Sequence, residues 1–222
     1  MKRVFITGIS RGVGKAYAGK FFAAGWHVAG TSTSGRAPRK DDHLEVYQLD
    51  LTDAARLASL AAILAADGQK FDVLINNAGV NLSSTTEYPS NSLQIDVLRQ
   101  TLEVNLIGLA DLTQRLLPLM APDSQIINVS SGAGAFHPYI PTGTPSYQIA
   151  KAALNMYTVA LANSLSQKAV KVWAFDPGWV QTDMGGYAAV KLPAMAAEEL
   201  YQLVLASPTT GTFWTGAGQR RW

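Results

Sequence analysis

The stretch Val4-Phe5-Ile6-Thr7-Gly8-Ile9-Ser10-Arg11-Gly12-Val13-Gly14 decides how the rest of the chain is read. Val4–Thr7 is a short β-branched and aromatic run, suited to a strand buried on both faces. After the glycines, Lys15–Ala24 continues as a helix that Gly25 stops. A strand, a glycine turn and a helix in succession aim free backbone N–H groups at a bound phosphate. Gly8 permits the tight turn, Gly12 a close backbone approach, and Gly14 close packing of helix on sheet. The spacing is G-x3-G-x-G rather than the commoner G-x-G-x-x-G. A nucleoside-triphosphate P-loop does not fit. Five residues separate Gly8 from Gly14 where that motif has four, and Ala16 stands where a Mg²⁺-binding hydroxyl belongs. A glycine turn with no ligand is the alternative for this loop taken alone.

Outward from this unit, strands and helices alternate. His27–Thr31, Leu44–Leu49, Phe71–Ile75, Ser124–Val129 and Val170–Phe175 read as further strands, and Gly211–Trp214 as a short closing one. Thr52-Asp53 can cap a helix over Ala54–Ala66 that ends at Asp67-Gly68. Ser92–Met120 is helical by pattern, interrupted near Gly108 and Pro118, and Ala194–Ala206 is the last helix. Val80–Asn91 and Phe136–Pro145 read as loops. No repeat or linker divides the series. The alternation predicts a single α/β domain over residues 1–222, built on a doubly wound parallel sheet of about seven strands with right-handed crossovers. Ligands of such sheets bind at the carboxyl ends of the strands. The glycine turn, Asn76-Asn77, Ser131 and Pro177-Gly178 all fall there.

At the end of the second strand, an NAD-specific site places a carboxylate for the ribose. This chain has Ser32-Thr33-Ser34-Gly35-Arg36 instead. Hydroxyls without an acid, with Arg11 and Arg36 available, suit a 2′-phosphate and favour NADP(H) over NAD(H). An ordinary polar loop is the alternative. The formal charge of +2 comes from scattered basic residues, which argues against a nucleic-acid partner or a membrane surface. No apolar run approaches the roughly 18 residues of a membrane span. Zero cysteines leave no disulfide or thiolate-bound metal and suit a reducing cytoplasm. No metal site is expected.

The segment Ser146–Met156 opens another helix, running to about Gln167. Tyr147 and Lys151 lie one turn apart on its same face. A phenol loses its proton near pH ~10, and a neighbouring ammonium is expected to lower that value. Snorkelling of an unrelated lysine is the plain alternative.

Taken together, Thr7–Gly14, Asp50-Leu51, Asn76-Asn77-Ala78-Gly79, Asn105, Ser131, Tyr147 with Lys151, and Pro177-Gly178 with Thr182 resemble the short-chain dehydrogenase/reductase family in its compact, Rossmann-fold form. Pro177–Met184 and Gly211–Trp222 are similar to the C-factor and sniffer-type carbonyl reductase branch. The resemblance implies hydride transfer between NADP(H) and a carbonyl compound or secondary alcohol. Tyr147 would be the acid/base, Ser131 the partner of the substrate carbonyl, and Lys151 the residue that holds the nicotinamide ribose and depresses the pKa of Tyr147. Asn105 would kink its helix and hold a proton-passing water. Cofactor contacts would come from Gly8, Ser10, Arg11, Gly12, Val13, Gly14, Ser32, Thr33, Asp50, Leu51, Asn77, Ala78, Gly79, Pro177, Gly178, Val180 and Thr182, besides Tyr147 and Lys151. Arg11 would meet the 2′-phosphate, Asp50 the adenine amine and Thr182 the carboxamide.

Relatives imply a homodimer paired through the Ser92–Met120 and Tyr147 helices. The Ser131–Tyr147 interval, with Pro138, Pro141 and Pro145, is about three residues longer than the family's usual one. Asp183–Pro193 is brief where relatives often carry a helical lid, which predicts an open site accepting varied carbonyl compounds. Phe136, Tyr139 and Trp179 either line the substrate pocket or cover the sheet edge. A nucleotide-binding signalling protein on the same fold, with little turnover, is the competing function.

Overall fold

The glycine turn and its flanking strand and helix form as read, and the alternation continues from them. The computed structural model describes residues 1–36, 43–68, 70–83, 87, 92–137 and 143–222. Among these, β1 (Arg3–Ile6), β2 (His27–Ser32), β3 (Leu44–Gln48), β4 (Phe71–Asn76), β5 (Met120–Val129), β6 (Val170–Asp176), β7 (Thr212–Thr215) and β8 (Gly218–Arg220) form one sheet. Its order is β3-β2-β1-β4-β5-β6-β7-β8. All pairs are parallel except β7–β8. The order reverses at β1, so the strand ends at β1, β4 and β5 border a crevice. Among the described residues the α-helices are α1 (Gly12–Ala23), α2 (Ala54–Ala66), α3 (Ile95–Leu102), α4 (Leu109–Leu116), α5 (Pro145–Ser164) and α6 (Pro193–Ala206).

Period-two alternation in the strands builds a core on each face. Phe5, Leu74, Ile126 and Val172 face the leucines of α2 and α4 together with Leu154 and Leu161 of α5. Val4, Ile6, Val73, Ile75, Trp173 and Phe175 face α1 and α6. Each large apolar side chain fully buried this way contributes roughly 1.5–3 kcal/mol. Phe21 of α1 meets Tyr201 of α6 edge-on at 5.2 Å between ring centres, which ties the two helices on that face.

Four details depart from the sequence reading. The antiparallel β8 was not foreseen; a two-residue turn, Gly216-Ala217, folds it back on β7, and three residues carry no readable periodicity. β5 begins at Met120 rather than Ser124, with a register shift opposite Phe71 and Val73. Pro145, read as loop, is the first residue of α5, where its missing N–H costs nothing. The interruption expected near Gly108 takes the form of a π-turn, Glu103–Gly108, through which the chain stays helical. A Cβ on Gly108 would lie 2.0 Å from the Leu51 carbonyl oxygen, so glycine is required by packing. Pro138, Tyr139 and Pro141 lie outside the described residues.

Candidate active site

The crevice wall at β1 and β4 is tied together by side chains. The Thr7 hydroxyl accepts from the amides of Asn77 and Ala78, each at 2.9 Å. Asn77 Nδ2 donates back to the carbonyls of Thr7 and Gly8, at 2.8 and 3.2 Å. Gly8 takes φ +74° and Gly12 φ +57°, conformations that a side chain would strain. A Cβ on Gly14 would lie 2.2 Å from the Gly8 carbonyl oxygen and 2.3 Å from Asn77 Nδ2. The Gly8–Gly14 turn and Asn77-Ala78-Gly79 are thus one packed unit.

This unit fits a dinucleotide phosphate. Arg11 precedes α1 without a side-chain cap, and the first turn of α1 holds no acidic residue. The amides of Gly12, Val13 and Gly14 begin the helix, where backbone donors lack intrahelical acceptors. Ser10 and Arg11 are exposed beside them. At the end of β2, Ser32 is buried and Thr33 exposed. The Ser32 hydroxyl lies 3.4 Å from that of Ser34, and no acid stands between Ser32 and Arg36. Arg11, however, pairs with Asp183 at 3.2 Å, both being exposed. Asp50 accepts from the Thr52 amide and hydroxyl at 2.9 and 2.8 Å, and those bonds hold its carboxyl below the usual range. Leu51 is buried against the α4 side of the sheet.

Across the crevice, α5 presents Tyr147 and Lys151. Lys151 Nζ stands 5.7 Å from the centre of the Tyr147 ring and donates to the Val129 carbonyl at 2.8 Å. Ser131 follows β5. Its hydroxyl accepts from the Ala133 amide at 3.1 Å and lies near enough to Tyr147 to favour the phenolate. Gly134 lets α5 approach closely, since a Cβ there would meet the Lys151 backbone at 2.5 Å. Asn105 sits wholly buried in a π-helical turn, Glu103–Gly108, between α3 and α4. Its side chain clamps the Val80 backbone, accepting from N and donating to O, both at 2.8 Å. Gly79 closes the gap: a Cβ there would lie 3.1 Å from Asn105 Oδ1 and 3.6 Å from Lys151 Nζ. The four residues singled out in sequence therefore share one end of the sheet, and Asn105 lies in a π-turn.

One expectation is corrected. Burial pushes the Tyr147 phenol up to about 12, against the Ser131 hydrogen bond that favours the phenolate and with the Asp176 carboxylate that opposes it. Lys151 is not among the groups that shift it. Its own pKa is pulled down to about 8 by burial, with Asp176 pushing the other way. The phenol rests protonated.

The far wall follows β6. The Gly178 amide donates to Asp176 Oδ1 at 2.9 Å, with Gly178 at φ +77° after Pro177. Val180 is buried and pairs with Lys191 in an isolated bridge. Thr182 Oγ1 accepts from the Gly185 amide at 3.1 Å, and its methyl lies 3.6 Å from where a Cβ on Gly12 would be. Thr182 thus faces the glycine turn across the crevice. Trp179 and Phe136 are 55% and 77% exposed, which leaves them free to meet a substrate rather than cover the sheet.

Two acids near the site carried no readable signal. Asp176 is buried and paired with Arg220 of β8 at 2.9 Å, a strand the sequence did not reveal. Glu87 is fully buried, although it falls within a polar stretch read as loop.

Comparison with known proteins follows from this geometry. The family model described as short chain dehydrogenase matches residues 2–191. A serine 3-dehydrogenase of Agrobacterium fabrum is 30% identical over 188 residues, covering 81% of this chain and 72% of the relative. An NADP-dependent 3-hydroxy acid dehydrogenase of Escherichia coli is 30% identical over 210 residues, covering 91% and 82%. Among solved structures, a putative short-chain dehydrogenase/reductase of Burkholderia multivorans with bound NADP superposes with a TM-score of 0.90 at 28% identity, covering 100% of this chain and 99% of the other. An NADPH-bound carbonyl reductase from chicken fatty liver gives 0.87 at 25% identity, with the same coverage.

Proposed function

The chain belongs to the short-chain dehydrogenase family and is an oxidoreductase, and from that premise we propose that it reduces carbonyl compounds with NADPH, as one dinucleotide-binding domain over residues 1–222. The observation that carries this reading is Tyr147 of α5, with Lys151 Nζ 5.7 Å from the centre of its ring and Ser131 near enough to favour its phenolate, at the strand ends next to the glycine turn. Bound NADPH would supply the hydride. The chain's own residues do the rest. Ser131 orients the substrate carbonyl oxygen, and Tyr147, protonated up to about pH 12, donates its proton to that oxygen as it becomes an alkoxide. Lys151, with a pKa of about 8, holds the ribose and can return a proton to the site near neutrality, with Asn105 fixing the adjoining backbone. A resting phenol favours reduction; oxidation would need the phenolate.

Cofactor contacts are assigned to the Gly8–Gly14 turn, Asn77–Gly79, Pro177, Gly178, Val180 and Thr182, with Asp50-Leu51 beside the adenine. Ser32, Thr33, Arg11 and Arg36 favour NADPH over NADH, Arg11 exchanging Asp183 for the 2′-phosphate. The NADP named for the Burkholderia structure and the E. coli relative supports this preference. The brief segment after Thr182 and the exposed Trp179 and Met184 support a small-molecule substrate of varied, apolar shape. Exposed Ile95 of α3, Ile107, and Ile149 and Met156 of α5 support a homodimer, and a cysteine-free chain suits the cytoplasm.

The test is NADPH oxidation against a panel of aldehydes, ketones and quinones. Tyr147→Phe is expected to lose about 10²–10⁴-fold in kcat while binding NADPH as before; retained turnover overturns the reading. Arg36→Ala is expected to raise KM for NADPH about tenfold and leave KM for NADH unchanged.

A further inference from the structure

The start of α5 is held from outside the helix. Pro145 has no N–H, and the Thr144 side chain makes no cap. The next two amides reach across to the segment after Gly79. Ser146 N donates to Glu87 Oε2 at 3.1 Å, and Tyr147 N donates to the Ser83 hydroxyl at 3.2 Å. The Ser146 hydroxyl donates to Glu87 Oε1 at 2.6 Å. The same Oε1 accepts from the amide of Gln94 at 2.8 Å, and Gln94 is the residue that precedes α3. One fully buried carboxylate therefore joins the N-terminal ends of α3 and α5. A negative charge is favoured at both ends by the helix dipoles, and its charge-assisted hydrogen bonds offset the cost of burial. Burial pushes the Glu87 carboxyl up, but the bonds from Gln94, Ser146 and Ser83 together hold it below the usual range, so it stays ionised at neutral pH.

The two joined helices are those that lead to the reacting groups. α3 runs into the π-turn with Asn105, and α5 carries Tyr147 in its first turn. Lys151, one turn further on, is anchored separately on the Val129 carbonyl. We infer that Glu87 is a positioning residue, whose bridge between the starts of α3 and α5 sets where the Tyr147 hydroxyl stands relative to Ser131 and the carbonyl substrate. This rests on the reading of Tyr147 as the proton donor. Without the bridge the first turn of α5 is left with uncapped amides and frays, which moves Tyr147 while Lys151 keeps its place. The consequence falls on the chemical step and leaves cofactor binding alone, because the groups seen bonded to Glu87, on Gln94 and Ser146, are not among those assigned to the cofactor.

The experiment compares Glu87→Gln, Glu87→Ala, Ser146→Ala and the double variant Glu87→Ala/Ser146→Ala with the parent protein and with Tyr147→Phe. For each, kcat and KM are measured for NADPH and for one carbonyl substrate, with NADPH affinity by titration and Tm alongside. Glu87→Gln and Glu87→Ala are expected to lower kcat about tenfold or more, since small misplacements of a reacting group are costly. KM and Kd for NADPH should stay within about twofold. Ser146→Ala should lose less, and the double variant no more than Glu87→Ala alone, as coupled residues do. An unchanged kcat in Glu87→Gln overturns the inference, as does a parallel loss of kcat and NADPH affinity, which would mark a general loss of structure. Should Glu87→Ala not fold, the near-isosteric Glu87→Gln decides. Full turnover in Tyr147→Phe would instead bring down the underlying reading and this inference with it.

Discussion

Two polar clusters stand at opposite ends of the same sheet, one half-buried and one buried, each with a phenol and a cation. At the amino ends, Glu45 Oε1 lies 3.0 Å from His27 Nε2 and 3.8 Å from Arg3, while the Tyr47 hydroxyl donates to its other oxygen at 2.6 Å. The Arg3 amide donates to Asp72 at 2.7 Å, so β1 to β4 are joined across their starts. Burial and Glu45 push the Tyr47 phenol far above its ordinary value. At the carboxyl ends Lys151 forms no ion pair among the described residues, and the Asp176 carboxylate that acts on it is engaged by Arg220. The amino-end charges compensate one another and fasten strands. The carboxyl-end lysine has no ion-pair partner among the described residues, and burial, opposed in part by Asp176, brings its pKa to about 8, near physiological pH. Similar side chains thus fasten strands at one end and, on the proposed reading, serve the chemistry at the other, according to whether each charge has its partner.

That contrast can be tested in four ways, the largest effect first. Tyr147→Phe and Tyr47→Phe form a matched pair. The first is expected to remove nearly all turnover without loss of stability. The second should keep turnover and cost about 1 kcal/mol in denaturant unfolding, because Glu45 loses a donor. Lys151→Met should abolish reduction and yet stabilise the fold by about 1–3 kcal/mol at pH 7, since it removes an ammonium whose burial Asp176 offsets only in part. The folded pKa lies below the unfolded one, so the wild-type penalty is complete below about pH 8 and fades as pH rises from there towards the ordinary lysine range. The variant's advantage should shrink over that window in parallel melts; a pH-independent gain would mean that the lysine is not buried as a charge. At the amino end, burial first and Arg3 second depress the His27 pKa. The unfolded chain then takes up a proton before the folded one as pH falls through about 6.5, and stability declines. His27→Gln should flatten that acid slope and leave kcat untouched.

Much of this was legible in the chain. Parallel strands such as Val4–Ile6 and Val172–Phe175 are continuous apolar runs because both faces are buried, and glycines such as Gly8 and Gly14 mark turns and close approaches that tolerate no side chain. Tyr147 and Lys151 were visible as a pair because helical periodicity itself makes them neighbours. Ser131, Asn105 and Thr182 were singled out through the resemblance to the family rather than through periodicity, and Asn105 lies in a helical turn rather than at a strand end. The sequence by itself therefore determined the sheet, the turns and which residues line its carboxyl edge, since those follow from local periodicity and backbone freedom. Only the tertiary structure decided the charge states and the struts. Tyr147 is raised rather than lowered because burial, a property of the whole packed domain, acts on it most strongly, and the lysine one turn away is not among the groups that shift it. Glu87 reaches Ser146 across 59 residues and Arg220 reaches Asp176 across 44, contacts that no periodic pattern encodes because long-range packing alone brings their partners together.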